Sequence, residues 1–381
     1  MTEYLKIENF GPISEIELTD IRPLTIFIGK SGSGKSTIMK VLSLFRWMYK
    51  RVNLRSFIKH SKISKTKIGF KTLPLLRTSG LLEYLMPNSQ IIYRNGPYEI
   101  VMKYRTTTAK FVVAKEHLSL EKVVFISDKR SIIPDILGSS VDRHKDNYYL
   151  QDTLENFRAA NKVISNIDLN YLGVNFSERK QKNGSKEFRI SGYGVNGEYS
   201  IKLTNASSGI QTATSVGLIV DYYATKYNLE DSLNSALFRY FADSDNLKNF
   251  RAGMNVGEFP NRRVNIFIEE PELSLYPENQ LEMIDFLIDR CFKIPHDYAM
   301  TLMMATHSPY IVNYLNLLMA RSGSDSMDTS IRPEMVDVYL IEEGTLIDLK
   351  ITDEKGNPLI DATRLSDPIS DIYNEYDVYS R

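Results

Sequence analysis

Nine consecutive residues limit what this chain can fold into: Gly29-Lys30-Ser31-Gly32-Ser33-Gly34-Lys35-Ser36-Thr37. They fit G-x-x-x-x-G-K-[ST] without a gap, and both flanks suit the pattern. Leu24-Thr25-Ile26-Phe27-Ile28 is a short apolar run with β-branched and aromatic residues, the composition of a buried strand. After Thr37, apolar residues recur at Ile38, Val41, Leu42, Phe45 and Met48, a helical spacing that predicts a helix to about Tyr49. Strand, glycine loop and helix in that order turn backbone N–H groups around phosphates, and the helix N-terminus adds partial positive charge. Lys35 then reaches the β- and γ-phosphates, and the Ser36 hydroxyl becomes a ligand for Mg²⁺. The expected ligand is a nucleoside triphosphate.

Bulk composition narrows the class without adding to the site. At 381 residues the chain can hold one large domain or two modest ones. Lys plus Arg and Asp plus Glu number 47 each, so no global field argues for nucleic acid or membrane, and any such binding would be local. The one cysteine, Cys291, excludes a disulfide framework and a two-cysteine zinc hook, and it fits a reducing cytoplasm. No apolar run approaches the ~18 residues of a membrane span. The first strand, with Glu3, Lys6 and Glu8, does not read as a signal peptide.

Along the chain, Tyr4 to Phe10 alternates and a Gly11-Pro12 turn leads to Ile13, Ile16 and Leu18, a hairpin feeding the nucleotide strand. From Arg46 to Arg77 basic residues accumulate, among them Lys50, Arg51, Arg55, Lys59, Lys62, Lys65, Lys67 and Lys71. A basic helical insertion over 46–90 is expected. It is read either as a solvated face or as a surface for nucleic-acid phosphates without base stacking. Short strands are expected at Ile91–Tyr93, Glu99–Tyr104 and Phe111–Ala114, then a buried strand at Val123–Ile126. The cluster Ser127-Asp128-Lys129-Arg130-Ser131 follows it, where α/β ligand sites sit, and a surface turn is the competing reading for Arg130. A polar helix is expected over 142–170, then two hairpins marked by Asn183-Gly184 and Asn196-Gly197. Residues 229–262 read as a variable insertion and 352–381 as an acidic C-terminal tail. Between them lie strands at Val264–Ile268 and Thr301–Ala305, helices at Glu278–Phe292 and Tyr310–Met319, and a hairpin pairing Val336–Ile341 with Leu346–Ile351.

Glu269 and Glu270 end an apolar strand, where one carboxylate suits Mg²⁺ and the next suits the attacking water of triphosphate hydrolysis. His307 follows another apolar strand, on the edge that would face the γ-phosphate. Ser208 and Gly209 head a helix, which is either a plain cap or a second phosphate site.

Four segments in this order resemble ABC-type ATPases of the SMC/RecF kind: the P-loop, Ser207-Ser208-Gly209-Ile210-Gln211, Ile268-Glu269-Glu270-Pro271-Glu272 and Thr306-His307-Ser308-Pro309. The opening Leu5-Lys6-Ile7-Glu8-Asn9-Phe10-Gly11-Pro12-Ile13 and the run Glu269 to Pro277 look most like the OLD-type AAA branch. That branch includes the ATPase subunits of anti-phage systems such as Septu (PtuA) and PARIS (AriA). The resemblance implies an α/β ABC-type ATPase head over 1–381. Such a head has a mixed β-sheet with flanking helices, an antiparallel β subdomain and a helical insertion.

The resemblance also assigns roles residue by residue. Gly29, Lys30, Ser31, Gly32, Ser33, Gly34, Lys35, Ser36 and Thr37 hold ATP. Glu269 stands at the metal position where many relatives have Asp. Glu270 is the catalytic carboxylate, His307 the switch histidine, and Ser208 and Gly209 the signature motif that contacts the γ-phosphate of an opposite subunit. The expected partners are therefore a second copy of the chain, joined by ATP, and a separate nuclease or toxin effector. A separate effector is expected because no Toprim domain fits after His307. Non-specific nucleic acid is the partner of the alternative, a RecF-like DNA-binding repair ATPase.

Overall fold

A computed structural model describes residues 2–60, 70–109, 111–138, 148–181, 186–233, 259–323 and 328–379. The chain opens with the hairpin of β1 (Glu3–Phe10) and β2 (Ile13–Leu18), then β3 (Leu24–Ile28) and α1 (Lys35–His60). Next come α2 (Thr72–Thr78), β4 (Leu85–Asn95), β5 (Tyr98–Lys103), β6 (Thr106–Thr108) and β7 (Ser119–Ile126). The following layer holds α3 (Ile133–Gly138), α4 (Tyr148–Val163), β8 (Asn166–Leu169), β9 (Val174–Lys180), β10 (Lys186–Gly194), β11 (Gly197–Lys202) and α5 (Ser208–Thr225). The last third alternates β12 (Asn261–Glu269), α6 (Pro277–Ile288), β13 (Ala299–Thr306), α7 (Pro309–Arg321) and β14 (Val336–Glu342). It closes with β15 (Thr345–Asp348), β16 (Lys350–Thr352), β17 (Pro358–Ile360) and α8 (Thr363–Tyr379).

The class is mixed α/β, as expected. A central six-stranded sheet runs β15-β14-β3-β13-β12-β7, parallel throughout except for β15 at its edge. Its inner strands are mostly apolar where both faces are covered, which is why they stand out in the sequence. Register brings four strand ends to one edge: Ile28 pairs with Thr306, Ala305 with Glu269, and Ile268 with Ile126. Any residue just past β3, β13, β12 or β7 therefore lands in the same place. Two antiparallel sheets flank this layer, ordered β2-β1-β4-β5-β6 and β11-β10-β9-β8.

Several boundaries differ from the sequence reading. The segment 46–90 is not one insertion: residues to His60 continue α1, and β4 begins at Leu85. Lys62, Lys65 and Lys67 lie outside the described residues. Phe111–Ala114 forms no strand. The helix expected over 142–170 is α4 followed by β8, and 142–147 lie outside the described residues. Of 229–262, residues 229–233 are helical, β12 starts at Asn261, and 234–258 lie outside the described residues, as does Asn183-Gly184. The closing hairpin stops at Asp348, because β16 pairs with β17 instead.

Arg46, which the sequence places in a basic run, is fully buried. Its Nε and Nη2 donate to the two oxygens of Glu3 at 2.8 Å each, and Tyr93 Oη donates to the same carboxylate at 2.8 Å. Arg263 Nη1 adds a bond of 3.2 Å, so the cluster ties α1, β1, β4 and β12 together. Burial alone would raise the Glu3 carboxyl, but Arg46 and then Arg263 and Tyr93 reverse this and hold it at about 2. A carboxyl held at about 2 instead of 4.5 contributes about 3 kcal/mol above pH 4.5, lost as pH falls toward 2. Glu3→Gln should accordingly cost ~3–5 kcal/mol, because it leaves Arg46 charged and unpaired. It should also flatten the acid limb of a pH-dependent urea melt. An unchanged acid limb in the variant would show that other carboxylates govern acid unfolding.

Candidate nucleotide site

The phosphate loop has the shape its glycines permit. Gly29, Gly32 and Gly34 take φ of +150°, +79° and +112°, where a side chain is strained. A Cβ on Gly29 would also lie 2.5 Å from Ile341 O, so the loop is seated against the end of β14. Lys35 is buried, and its Nζ donates to Gly29 O at 2.7 Å and Lys30 O at 2.9 Å. Burial pulls its pKa down while Glu270 and then Glu272 hold it up, which places both carboxylates in its field. Lys30, Ser31 and Gly32 are exposed at the rim, Ser33 and Ser36 are half-buried, and Thr37 is buried in the first turn of α1.

Register delivers the acidic groups opposite this loop. Glu269 is 2% exposed, and its Oε1 lies 3.2 Å from Lys40 Nζ. Its Oε2 is buried with no hydrogen-bond partner. Burial raises its pKa most, with Lys40 opposing, the Asp128 carboxyl raising it further and the nearby Ser36 hydroxyl lowering it. Asp128, just past β7, accepts a hydrogen bond from Ser127 Oγ at 2.8 Å. An orphaned buried carboxylate oxygen, a second carboxyl against it and a serine hydroxyl form an all-oxygen set that fits Mg²⁺. Among the described residues no group of three or more His, Cys, Asp or Glu gathers as a metal site, so triphosphate oxygens would complete the shell.

Glu270 departs from the strand at φ +46°. Its N–H donates to Ala305 O at 2.8 Å, and its carbonyl accepts from Arg130 Nη2. Arg130 Nη1 donates to Glu269 O at 2.6 Å and to Ser127 O at 3.2 Å. Arg130 is thus a buried positioning residue and not a surface turn. Glu270 Oε1 lies 3.7 Å from His307 Nε2, with both side chains about one-third exposed (35% and 36%). The backbone N–H of His307 donates to Glu272 Oε1 at 2.7 Å.

Lys35, Ser36, Glu269, Glu270 and His307 therefore meet at one sheet edge, while Ser208 and Gly209 take a different place. Ser207 caps α5, Ser207 and Ser208 are exposed, and Gly209 is buried against the loop after Glu270. A Cβ there would lie 2.5 Å from Ser274 O, and Thr212 Oγ1 donates to Leu273 O at 2.9 Å. The sequence reading missed three contributors. Lys40 was visible as the residue one helical turn beyond Ser36, Asp128 as the acid just past an apolar strand, and Glu272 only as part of its motif.

Residues 1–75 match the profile of a family described as AAA ATPase domain. No curated protein matches the chain. Among solved structures, one similar to it is an SMC head bound to the C-winged helix domain of ScpA, with 12% identity and a TM-score of 0.36. That alignment covers 93% of this chain and 99% of the other. The SMC head domain from Thermotoga maritima gives 13% and 0.34, covering 93% and 100%. CbiO1 from Clostridium perfringens, part of the ABC transporter complex cbiONQ, gives 11% and 0.30, covering 91% and 88%. The first 75 residues are thus similar to an AAA ATPase domain, and they carry the phosphate loop described above.

Asp128→Asn keeps the shape of this corner and removes one charge. It should raise the Mg²⁺ concentration for half-maximal ATPase activity by ~10–100-fold, with metal-free nucleotide affinity unchanged. An unchanged Mg²⁺ dependence would remove Asp128 from the metal corner.

Proposed function

We propose that the chain is an ATPase that closes into a two-fold dimer around ATP. Through that nucleotide state it controls a separate nuclease or toxin effector in anti-phage defence. The observation that carries the dimer reading is the division of the site. Lys35, Ser36, Glu269, Glu270 and His307 share one edge, whereas Ser208 and Gly209 sit at the N-terminus of α5, against Ser274 and Leu275. One chain so arranged offers two half-sites, and a head-to-tail pair completes both.

In this reading the loop N–H groups and the start of α1 bind the β- and γ-phosphates, and Lys35 turns from its two loop carbonyls to the γ-phosphate. Ser36 and Glu269, with Asp128 beside them, would hold Mg²⁺, which would supply positive charge to the phosphates. Glu270 takes the proton of the attacking water, and His307, 3.7 Å away, orients that carboxylate and senses the γ-phosphate. The exposed Ser208 hydroxyl and the α5 N-terminus meet the γ-phosphate bound by the partner copy. The effector and the defence setting rest on the motif order and on the resemblance to the OLD-type branch.

For the repair reading, the basic run retains Arg51, Lys59, Lys71 and Arg77 as exposed residues among those described, with Arg46 withdrawn into the core. No observed geometry favours it over the effector reading. No helix among the described residues is long and apolar enough to cross a membrane.

Glu270→Gln should lower kcat ~10²–10⁴-fold and accumulate an ATP-bound dimer by light scattering. Hydrolysis at the wild-type rate would remove Glu270 from the mechanism. Mixing two inactive variants tests the shared site. A Lys35→Ala chain paired with a Ser208→Arg chain contains one intact composite site, so random pairing should restore about a quarter of wild-type activity. No recovery would refute the sandwich. Native mass of the chain expressed with its genomic neighbour, with and without ATP, tests effector capture.

A further inference from the structure

Away from the phosphate loop, α1, α2, β7 and α4 enclose a cavity of about 300 Å³. None of its lining residues belongs to the phosphate loop or to the Glu269, Glu270 and His307 group. Trp47, Phe125, Tyr148 and Tyr149 supply aromatic walls, and Lys50, Lys122 and Asp152 supply its charges. Two of those charges are already engaged. Asp152 accepts the backbone N–H of Phe125 at 2.9 Å, and the Lys122 ammonium lies 5.5 Å over the Tyr223 ring. Lys50 differs: it is half-buried and makes no hydrogen bond or ion pair among the described residues. Burial first, and then Lys122, push its pKa down to about 8.

We infer that this cavity binds a small planar aromatic molecule carrying one anionic group. The charges select the anion: two ammoniums face one carboxylate, and the unpaired ammonium sits inside the walls. The walls select the ring, since Trp and Tyr faces stack on flat π-systems and an aliphatic acid would leave them unmatched. The volume sets the size, because ~300 Å³ is the low end of ligand pockets and admits one ring system with a small substituent. Tyr149 forms part of the wall, and it also seats Lys40, whose ammonium lies 5.3 Å over its ring. The ligand therefore packs against the residue that positions the counter-charge of Glu269.

The aromatic anion is either an aryl carboxylate or an aryl phosphate, and two probes separate them. Calorimetric titration of the full Lys35→Ala chain with anthranilate and with phenyl phosphate keeps the phosphate loop out of the signal and needs no ATPase activity. One equivalent of at least one probe should bind. Affinity should fall at least ~10-fold in the added Lys50→Met variant, which loses a charge-assisted bond, and in Trp47→Ala. Lys50→Met keeps the stem and deletes an unpaired half-buried charge, so its melting temperature should be unchanged or higher. Phenyl phosphate alone binding would assign a phosphate, anthranilate alone a carboxylate, and binding of both a site for either anion. Failure of both at millimolar concentration, or binding indifferent to Lys50→Met, would overturn the site.

Discussion

The buried guanidinium of Arg130 sets the geometry on which the site depends. In a strand, successive side chains point to opposite faces, so Glu269 and Glu270 would diverge if β12 simply continued. Arg130 instead gathers the carbonyls of Ser127, Glu269 and Glu270, and Glu270 adopts φ +46°. A non-glycine residue held there costs on the order of 1 kcal/mol or more, and the neighbouring bonds sustain it. The turn sends the first carboxylate inward to Ser36 and Lys40, and the second toward His307. Burial lowers the Arg130 pKa to about 10, opposed most by Glu272, so the group stays charged at neutral pH. Lysine could not replace it, since a point charge lacks the planar fork that reaches three carbonyls.

The phosphate loop also depends on residues far away in sequence. Gly29 lies against Ile341 O, and Gly34 against Ile13 at the start of β2 and Pro12 in the turn before it. Gly344, in the turn between β14 and β15, accepts from Ser14 N at 3.0 Å and from Ser14 Oγ at 3.1 Å. Both turns therefore brace the loop from outside. β3 itself is a middle strand whose partners are β13 and β14. Residues 1–75 contain the motif, but its conformation is imposed by strands beyond residue 298.

What was legible in the sequence follows from how each element is stabilised. β3, β13 and the later part of β12 are buried on both faces, so they appear as mostly apolar runs, and their ends mark the site. The Asn196-Gly197 turn was readable because its chemistry is local, with Gly197 at φ +101°. Arg46 was not readable: its partner Glu3 is 43 residues away, and a charge run looks the same whether it is solvated or buried. Arg130 was ambiguous for the same reason, since its acceptors are backbone carbonyls that no sequence pattern displays. Phe111–Ala114 has strand composition but no neighbour in register, and tertiary pairing outweighed propensity.

The placement of Gly209 bears on how a second copy would be sensed. Because its Cα lies hard against Ser274 O, the N-terminus of α5 cannot move without moving the loop from Glu270 to Leu275. Thr212, bonded to Leu273 O, fixes the same pair of elements a turn later. Leu273 N in turn donates to Glu270 O at 3.0 Å, the carbonyl that Arg130 also holds. In the proposed dimer, a γ-phosphate pulling on the partner's Ser208 end therefore acts on the backbone of that partner's own Glu270. Nucleotide bound in one half-site would in that way adjust the catalytic carboxylate of the other without being required for its turnover.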